Sequence, residues 1–90
     1  MNGPKTQYTE EFMDLVADIS EEILPGWEVD LMPQPPDEAD YDDSYAVTIQ
    51  LPHMHKTQIW FDSKVVDSPD RRFQSRIIVH ELLHALFRDI

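Results

Sequence analysis

The 90-residue sequence predicts an α+β fold, with a helix at each end of the chain and a small three-stranded sheet between them. Apolar residues recur at helical spacing near the N-terminus and fill most positions from Phe73 onward. Between Trp27 and Phe61 they alternate with polar residues in three short runs, as in half-buried strands. A hydrophobic content of 41% is sufficient for a packed core, and the length predicts one domain over residues 1–90.

The first helix is predicted to begin after Thr9, whose hydroxyl can cap it, and to end before Pro25-Gly26. Its core-facing side is formed by apolar residues at helical spacing: Phe12, Leu15, Val16, Ile19 and Ile23. Its other side is acidic, with Asp14, Asp18, Glu21 and Glu22. We interpret that side as a solvated surface and assign no chemistry to it.

The three predicted strands cover residues 27–32, 45–51 and 57–61, and an acidic, proline-rich loop at 33–44 separates the first two. Only residues 52–56 separate the second and third strands, so we expect an antiparallel hairpin. His53 and His55 lie in this connection. Alternate residues of an extended chain share a face and could bind a metal together, although an exposed turn is the preferred interpretation.

The last helix is predicted from Ser68 to Ile90, with Ser68 as its cap, and it contains His80-Glu81-Leu82-Leu83-His84. Imidazoles four residues apart project from one helix face, so His80 and His84 can bind one metal ion. Glu81 lies about 100° around the helix from His80, where a carboxylate can reach a metal-bound water. This is the H-E-x-x-H pattern of zinc peptidases, and its place in mid-helix favours that interpretation over two unrelated histidines.

Composition limits the other kinds of site and partner. The sequence has no cysteine, so a metal must be held by histidines and carboxylates. A net charge of −11 argues against binding to a nucleic-acid backbone and is most simply explained by solubility. The sequence shows no signal peptide and no apolar run of membrane-spanning length, so we expect a cytoplasmic protein with no membrane partner.

Two stretches of the second half, Ile59-Trp60-Phe61-Asp62 and residues 72–86 (RFQSRIIVHELLHAL), resemble short bacterial and phage zincin metallopeptidases of the ImmA/IrrE and SprT-like kinds. The first half agrees only in the order of its elements. The resemblance implies a zincin-like core, Zn²⁺ held by His80 and His84, and Glu81 as the general base for a zinc-bound water. It also implies a peptide or protein substrate, with the strand at 57–62 near an extended peptide.

The sequence departs from this family at the third zinc ligand. Phe87 and Ile90 occupy positions where a metzincin has Gly and then His or Asp, and Asp89 is about 140° around the helix from His84. The ligand could come from upstream, from another subunit or from C-terminal sequence beyond residue 90, or the site could be degenerate. The final turns are apolar on every side, which predicts that a further C-terminal segment or a homodimer covers them.

The leading hypothesis from the sequence is therefore a zinc-dependent metallopeptidase, or the core of one. The alternative is a catalytically weak or inactive zincin-like module that binds a protein partner through its groove and acidic surface. An acidic mimic of DNA is a third and weaker hypothesis.

Overall fold

The computed structural model describes residues 5–35 and 45–86 and confirms the α+β fold. Its elements are, in chain order, helix α1 (Glu10–Ile23), strands β1 (Glu28–Leu31) and β2 (Ala46–Leu51), a 3-10 turn (Pro52–Met54), strand β3 (Lys56–Phe61), and helices α2 (Ser63–Val66) and α3 (Arg71–Leu86). The predicted loop at 33–44 lies outside the described residues from position 36 onward, and so does Asp89.

Helix α1 begins and ends where the sequence predicts. The Thr9 hydroxyl accepts a 3.1 Å hydrogen bond from the Phe12 amide, which satisfies one of the free N–H groups of the first turn. After Leu24 the chain turns through Gly26, whose φ of 85° is readily adopted by glycine. Phe12, Leu15 and Val16 are buried. The acidic residues of the opposite side are solvated, as predicted. All four of them are exposed: Asp14, Asp18, Glu21 and Glu22.

The sheet has the strand order β1-β3-β2. Strands β2 and β3 are antiparallel and joined through residues 52–55, which confirms the predicted hairpin. Strand β1 pairs with the other side of β3 in parallel, with Leu31 opposite Ile59. Strand β3 is therefore central and hydrogen-bonded on both sides, whereas β2 is an edge strand in the described part of the chain.

The segment before α1 extends the contact between β1 and β3 beyond the last ladder bond. The Tyr8 hydroxyl donates to the Met32 carbonyl at 2.5 Å and accepts from the Phe61 amide at 3.0 Å. The buried Thr6 hydroxyl donates to the Phe61 carbonyl at 2.7 Å. Burial raises the pKa of Tyr8, and the hydrogen bond from the Phe61 amide opposes that effect only in part.

The main core lies between one face of the sheet and helices α1 and α3. Side chains alternate along a strand, so Ile59 and Phe61 of β3 share this face, and both are fully buried. Helix α3 contributes Ile78 and Leu82, which are also fully buried. The Phe12 and Phe61 rings meet edge to face with centroids 5.0 Å apart. This packing fixes α3 across the sheet.

The start of α3 differs from the prediction, because Asp70 and not Ser68 caps the helix. The Asp70 carboxylate accepts from the Arg72 and Phe73 amides at 3.0 and 3.2 Å, and helix α3 begins at Arg71. Ser68 accepts from the Asp70 amide and so stabilises the turn just before the helix. An Asp has the same capping chemistry as a Ser, and sequence alone did not distinguish the two.

The short helix α2 was not predicted. Asp62 caps it by accepting a 2.8 Å hydrogen bond from the Lys64 amide. The buried Gln74 amide of α3 donates to the Val65 and Val66 carbonyls at 3.0 and 3.1 Å. These bonds satisfy carbonyls at the end of α2 and tie it to α3, so the turn after β3 determines where the motif helix lies.

One side of α3 is not covered by the described part of the chain. Leu83 is 36% exposed and Val79 is half-buried. Cover by another segment or a second chain therefore stays a prediction. None of the described helices combines the length and the apolarity needed to cross a bilayer.

Candidate metal centre

The two histidines of the motif lie one turn apart on α3 and face each other. Their Nε2 atoms are 3.3 Å apart, with the rings nearly perpendicular and the centroids 4.8 Å apart. His80 is exposed and His84 is half-buried, so a metal ion can reach this pair from solvent. The helix thus brings together the two residues that the sequence predicted as ligands.

The separation of the two nitrogens fits zinc. Zinc binds histidine nitrogens at about 2.0–2.1 Å, and two ligands at a tetrahedral angle are then about 3.3–3.4 Å apart. The observed 3.3 Å agrees with this spacing. A hydrogen bond between the rings gives a similar distance, so the agreement supports a divalent metal without identifying it.

Glu81 projects between α3 and the sheet rather than toward solvent. It is only 8% exposed, and its Oε1 accepts a 2.5 Å hydrogen bond from the Thr48 hydroxyl on β2. A buried carboxylate needs such a partner, because losing its hydration is costly. The bond also holds the side chain beside the histidines. Thr48 could not be predicted from the sequence, because it belongs to no motif and lies in an ordinary strand pattern.

Glu81, His80 and His84 form the one group in the described residues that could hold a metal ion. One ligand atom from each lies within 4.8 Å of the others. This arrangement allows Glu81 to be either a third ligand or a base beside a metal held by the two imidazoles. The Thr48 bond occupies one carboxylate oxygen and leaves the other available for either role.

The group opens into a cleft of about 650 Å³ between β2 and α3. Tyr45, just before β2, and residues 46–48 of the strand line it. Side chains alternate between faces along a strand, so this consecutive run indicates that the cleft follows the edge of β2. From α3 the cleft is lined by Arg76, Ile77 and the three residues of the metal-capable group. The cleft therefore places a strand edge that no described residue pairs with next to the candidate metal centre.

The strand next to the centre is β2, the neighbour of the strand at 57–61. Residues 57–61 belong to β3, which is hydrogen-bonded to a strand on each side and cannot pair with a further chain. The resemblance implied that residues 57–62 lie near an extended peptide, and this stays a prediction. In the described residues β2, the hairpin partner of β3, is the strand with a free edge.

His53 and His55 do not join the centre. Both are exposed, His53 within the 3-10 turn and His55 after it with a φ of 48°. The His55 ring stacks on Trp27 with centroids 5.4 Å apart, and its carbonyl accepts from the Glu28 amide. The exposed-turn interpretation of this histidine pair is confirmed, and neither residue belongs to the group that could hold a metal.

Comparison with protein-family models, with curated proteins and with solved structures finds no match for this chain. The resemblance to zincins therefore rests on the H-E-x-x-H motif and the residues around it.

Proposed function

We propose that this protein is a zinc-dependent metallopeptidase in which His80 and His84 hold the metal and Glu81 is the general base. The observation that carries the proposal is the 3.3 Å separation between the Nε2 atoms of His80 and His84, on a helix face that solvent can reach. The buried side chain of Glu81 lies beside them. A zinc ion bound there would supply a Lewis acid for a peptide carbonyl and make a water acidic enough to lose a proton near neutral pH.

The residues of the chain have separate roles in this proposal. Glu81 accepts the proton of the attacking water on its free oxygen and later donates it to the leaving amine. Thr48 holds the other oxygen, so the carboxylate is oriented before substrate binds. Burial on the floor of the cleft limits the access of bulk water to this proton.

The edge of β2 provides a place for an extended substrate. Its outward N–H and C=O groups can pair with a peptide, as when an edge strand binds an added strand. The cleft along this edge leads directly to Glu81 and the two histidines. Backbone pairing of this kind binds many sequences, and it would hold a scissile carbonyl near the metal.

A second candidate function is a zincin-like module that binds a protein partner with little or no catalysis. It is favoured by the make-up of the metal-capable group, which within residues 5–35 and 45–86 offers two imidazoles and no ligand besides Glu81. If Glu81 binds the metal, no general base remains in the group. The same cleft and strand edge would then serve binding alone.

The proposal is tested with protein that has been treated with a chelator, dialysed and reloaded with zinc. We expect about one zinc per chain in the wild type and much less in His80→Ala, with His53→Ala as the matched histidine control. The reloaded wild type should generate new termini in a mixture of peptides, read by mass spectrometry, and chelation should abolish them. Wild-type protein that binds no zinc, or zinc-loaded protein that cleaves nothing in the mixture, would contradict the proposal.

A further inference from the structure

We infer that the cleft selects peptides with an acidic side chain close to the bond over the metal, and that Arg76 is the residue that recognises it. This inference rests on the proposed function, since it names the substrate class of the same site. Arg76 lines the cleft one helical turn before His80. It is exposed, and it forms no ion pair with any residue that the structure describes.

The described lining of the cleft is much less acidic than the chain as a whole. Besides the two histidines it contains one basic side chain, Arg76, and one acidic side chain, Glu81. A zinc ion bound to the histidines would add two positive charges to this lining. The chain as a whole carries −11.

Glu81 is the only described acidic residue that lines the cleft. Six of the others are exposed on α1: Glu10, Glu11, Asp14, Asp18, Glu21 and Glu22. Glu28 and Asp30 of β1 pair with Lys56 at 3.4 and 3.1 Å. At physiological ionic strength, charges farther than about 8 Å from a peptide carboxylate are largely screened. A direct contact of that carboxylate with Arg76 therefore counts for more than repulsion by acidic residues beyond this distance. The guanidinium can bind a carboxylate through two parallel hydrogen bonds.

The spacing along α3 limits where the acidic residue lies in the peptide. Four residues of helix separate Arg76 from His80, a rise of about 6 Å, and an extended chain covers about 3.3 Å per residue. An acidic side chain bound by Arg76 therefore belongs to a residue within about two positions of the bond that lies over the metal.

Two contacts show how β2 runs relative to α3, and so on which side of the scissile bond the acidic residue should lie. Tyr45, just before β2, contacts Phe73 near the start of α3, with ring centroids 5.2 Å apart. Farther along both elements, Thr48 meets Glu81. Strand and helix therefore run the same way, and Arg76 lies on the Tyr45 side of the metal-capable group. A peptide paired antiparallel to β2, the more stable pairing, places its C-terminal residues on that side. The acidic residue should follow the scissile bond.

The test uses two capped heptapeptides that differ only in a central glutamate or glutamine, titrated against zinc-loaded protein by NMR. The glutamate peptide should bind about fivefold more tightly to the wild type, the advantage expected of one exposed charge pair. Arg76→Gln should remove this preference. Arg72→Gln, one turn earlier on α3 and outside the cleft lining, should retain it. Cleavage sites in a peptide mixture should be enriched in Asp or Glu within two residues after the bond.

The outcomes separate this inference from the peptidase proposal. Equal binding of the two peptides, or a preference that survives Arg76→Gln, overturns the role of Arg76. Cleavage with no acidic preference after the bond also overturns it and leaves the peptidase proposal intact. A preference that depends on Arg76 without any cleavage supports acidic-peptide recognition and contradicts the peptidase.

Discussion

Thr48 and Glu81 lie 33 residues apart in the sequence, and the threonine hydroxyl donates a 2.5 Å hydrogen bond to the glutamate carboxylate. This bond joins the edge strand β2 to the motif helix α3 at the floor of the cleft. Glu81 is only 8% exposed, so the hydroxyl is one of the few polar groups available to it. The position of the proposed base therefore depends on a residue outside the motif.

Replacing Thr48 tests how much this bond matters to the fold. Thr48→Val keeps the shape of the side chain and removes the donor, so it should lower the free energy of unfolding by about 1–3 kcal/mol. Thr48→Ser keeps the hydroxyl and should lose less. Urea denaturation measures both. If the valine variant is as stable as the serine variant or more so, the hydrogen bond is not a significant source of stability.

The two sides of α3 should differ sharply in their tolerance of substitution. Ile78 is fully buried, and Ile78→Ala should cost about 2–5 kcal/mol through lost burial and a cavity. Leu83 is 36% exposed, and Leu83→Ala should change the stability of the monomer by about 0.5 kcal/mol or less. Thermal denaturation at low protein concentration compares them. A large loss for Leu83→Ala would mean that this side is covered after all.

The raised pKa of Tyr8 predicts a loss of stability in alkali. In the unfolded state this phenol ionises at a lower pH than in the folded state. The stabilisation that its raised pKa represents is therefore fully present below about pH 10. The contribution is then lost as the pH rises through the higher folded pKa. The raised pKa of Lys56, caused first by its hydrogen bonds to Asp30 and Glu28, acts in the same direction.

Tyr8→Phe should therefore flatten the alkaline decline and also lower stability near neutral pH by about 1–3 kcal/mol, since it removes the hydroxyl that bridges Met32 and Phe61. Unfolding free energies at pH 8 and at pH values above 10 measure the two effects. An alkaline decline of the same steepness in Tyr8→Phe would show that other groups cause it.

Local sequence signals predicted the elements well and their spatial arrangement only in part. Thr9 and Gly26 mark the ends of α1 because capping and left-handed turns depend on neighbouring residues. The short connection after β2 predicted the hairpin for the same reason. The pairing of β1 with the far side of β3 depends on contacts between distant residues, and no local pattern indicates it. That pairing is what leaves β2 and not β3 at the edge.

The candidate site shows the same limit. The spacing of His80 and His84 on one helix predicted that their side chains meet, because helical geometry alone sets it. The roles of Thr48 and Arg76 follow only from the packing of β2 beside α3. A threonine in a strand and an arginine on a helix are both common, so neither residue indicated a functional site in the sequence.

The most direct test of the account compares zinc content and peptide cleavage in the same preparations of wild type and Glu81→Gln. The amide keeps the size of the side chain and can still accept from Thr48, so the fold should be preserved. We expect one zinc per chain in both proteins and cleavage about 10²–10⁴-fold slower in the variant. The exposed Glu21→Gln on α1 should match the wild type. Undiminished cleavage by Glu81→Gln, or loss of its zinc, would contradict the role of Glu81 as the general base.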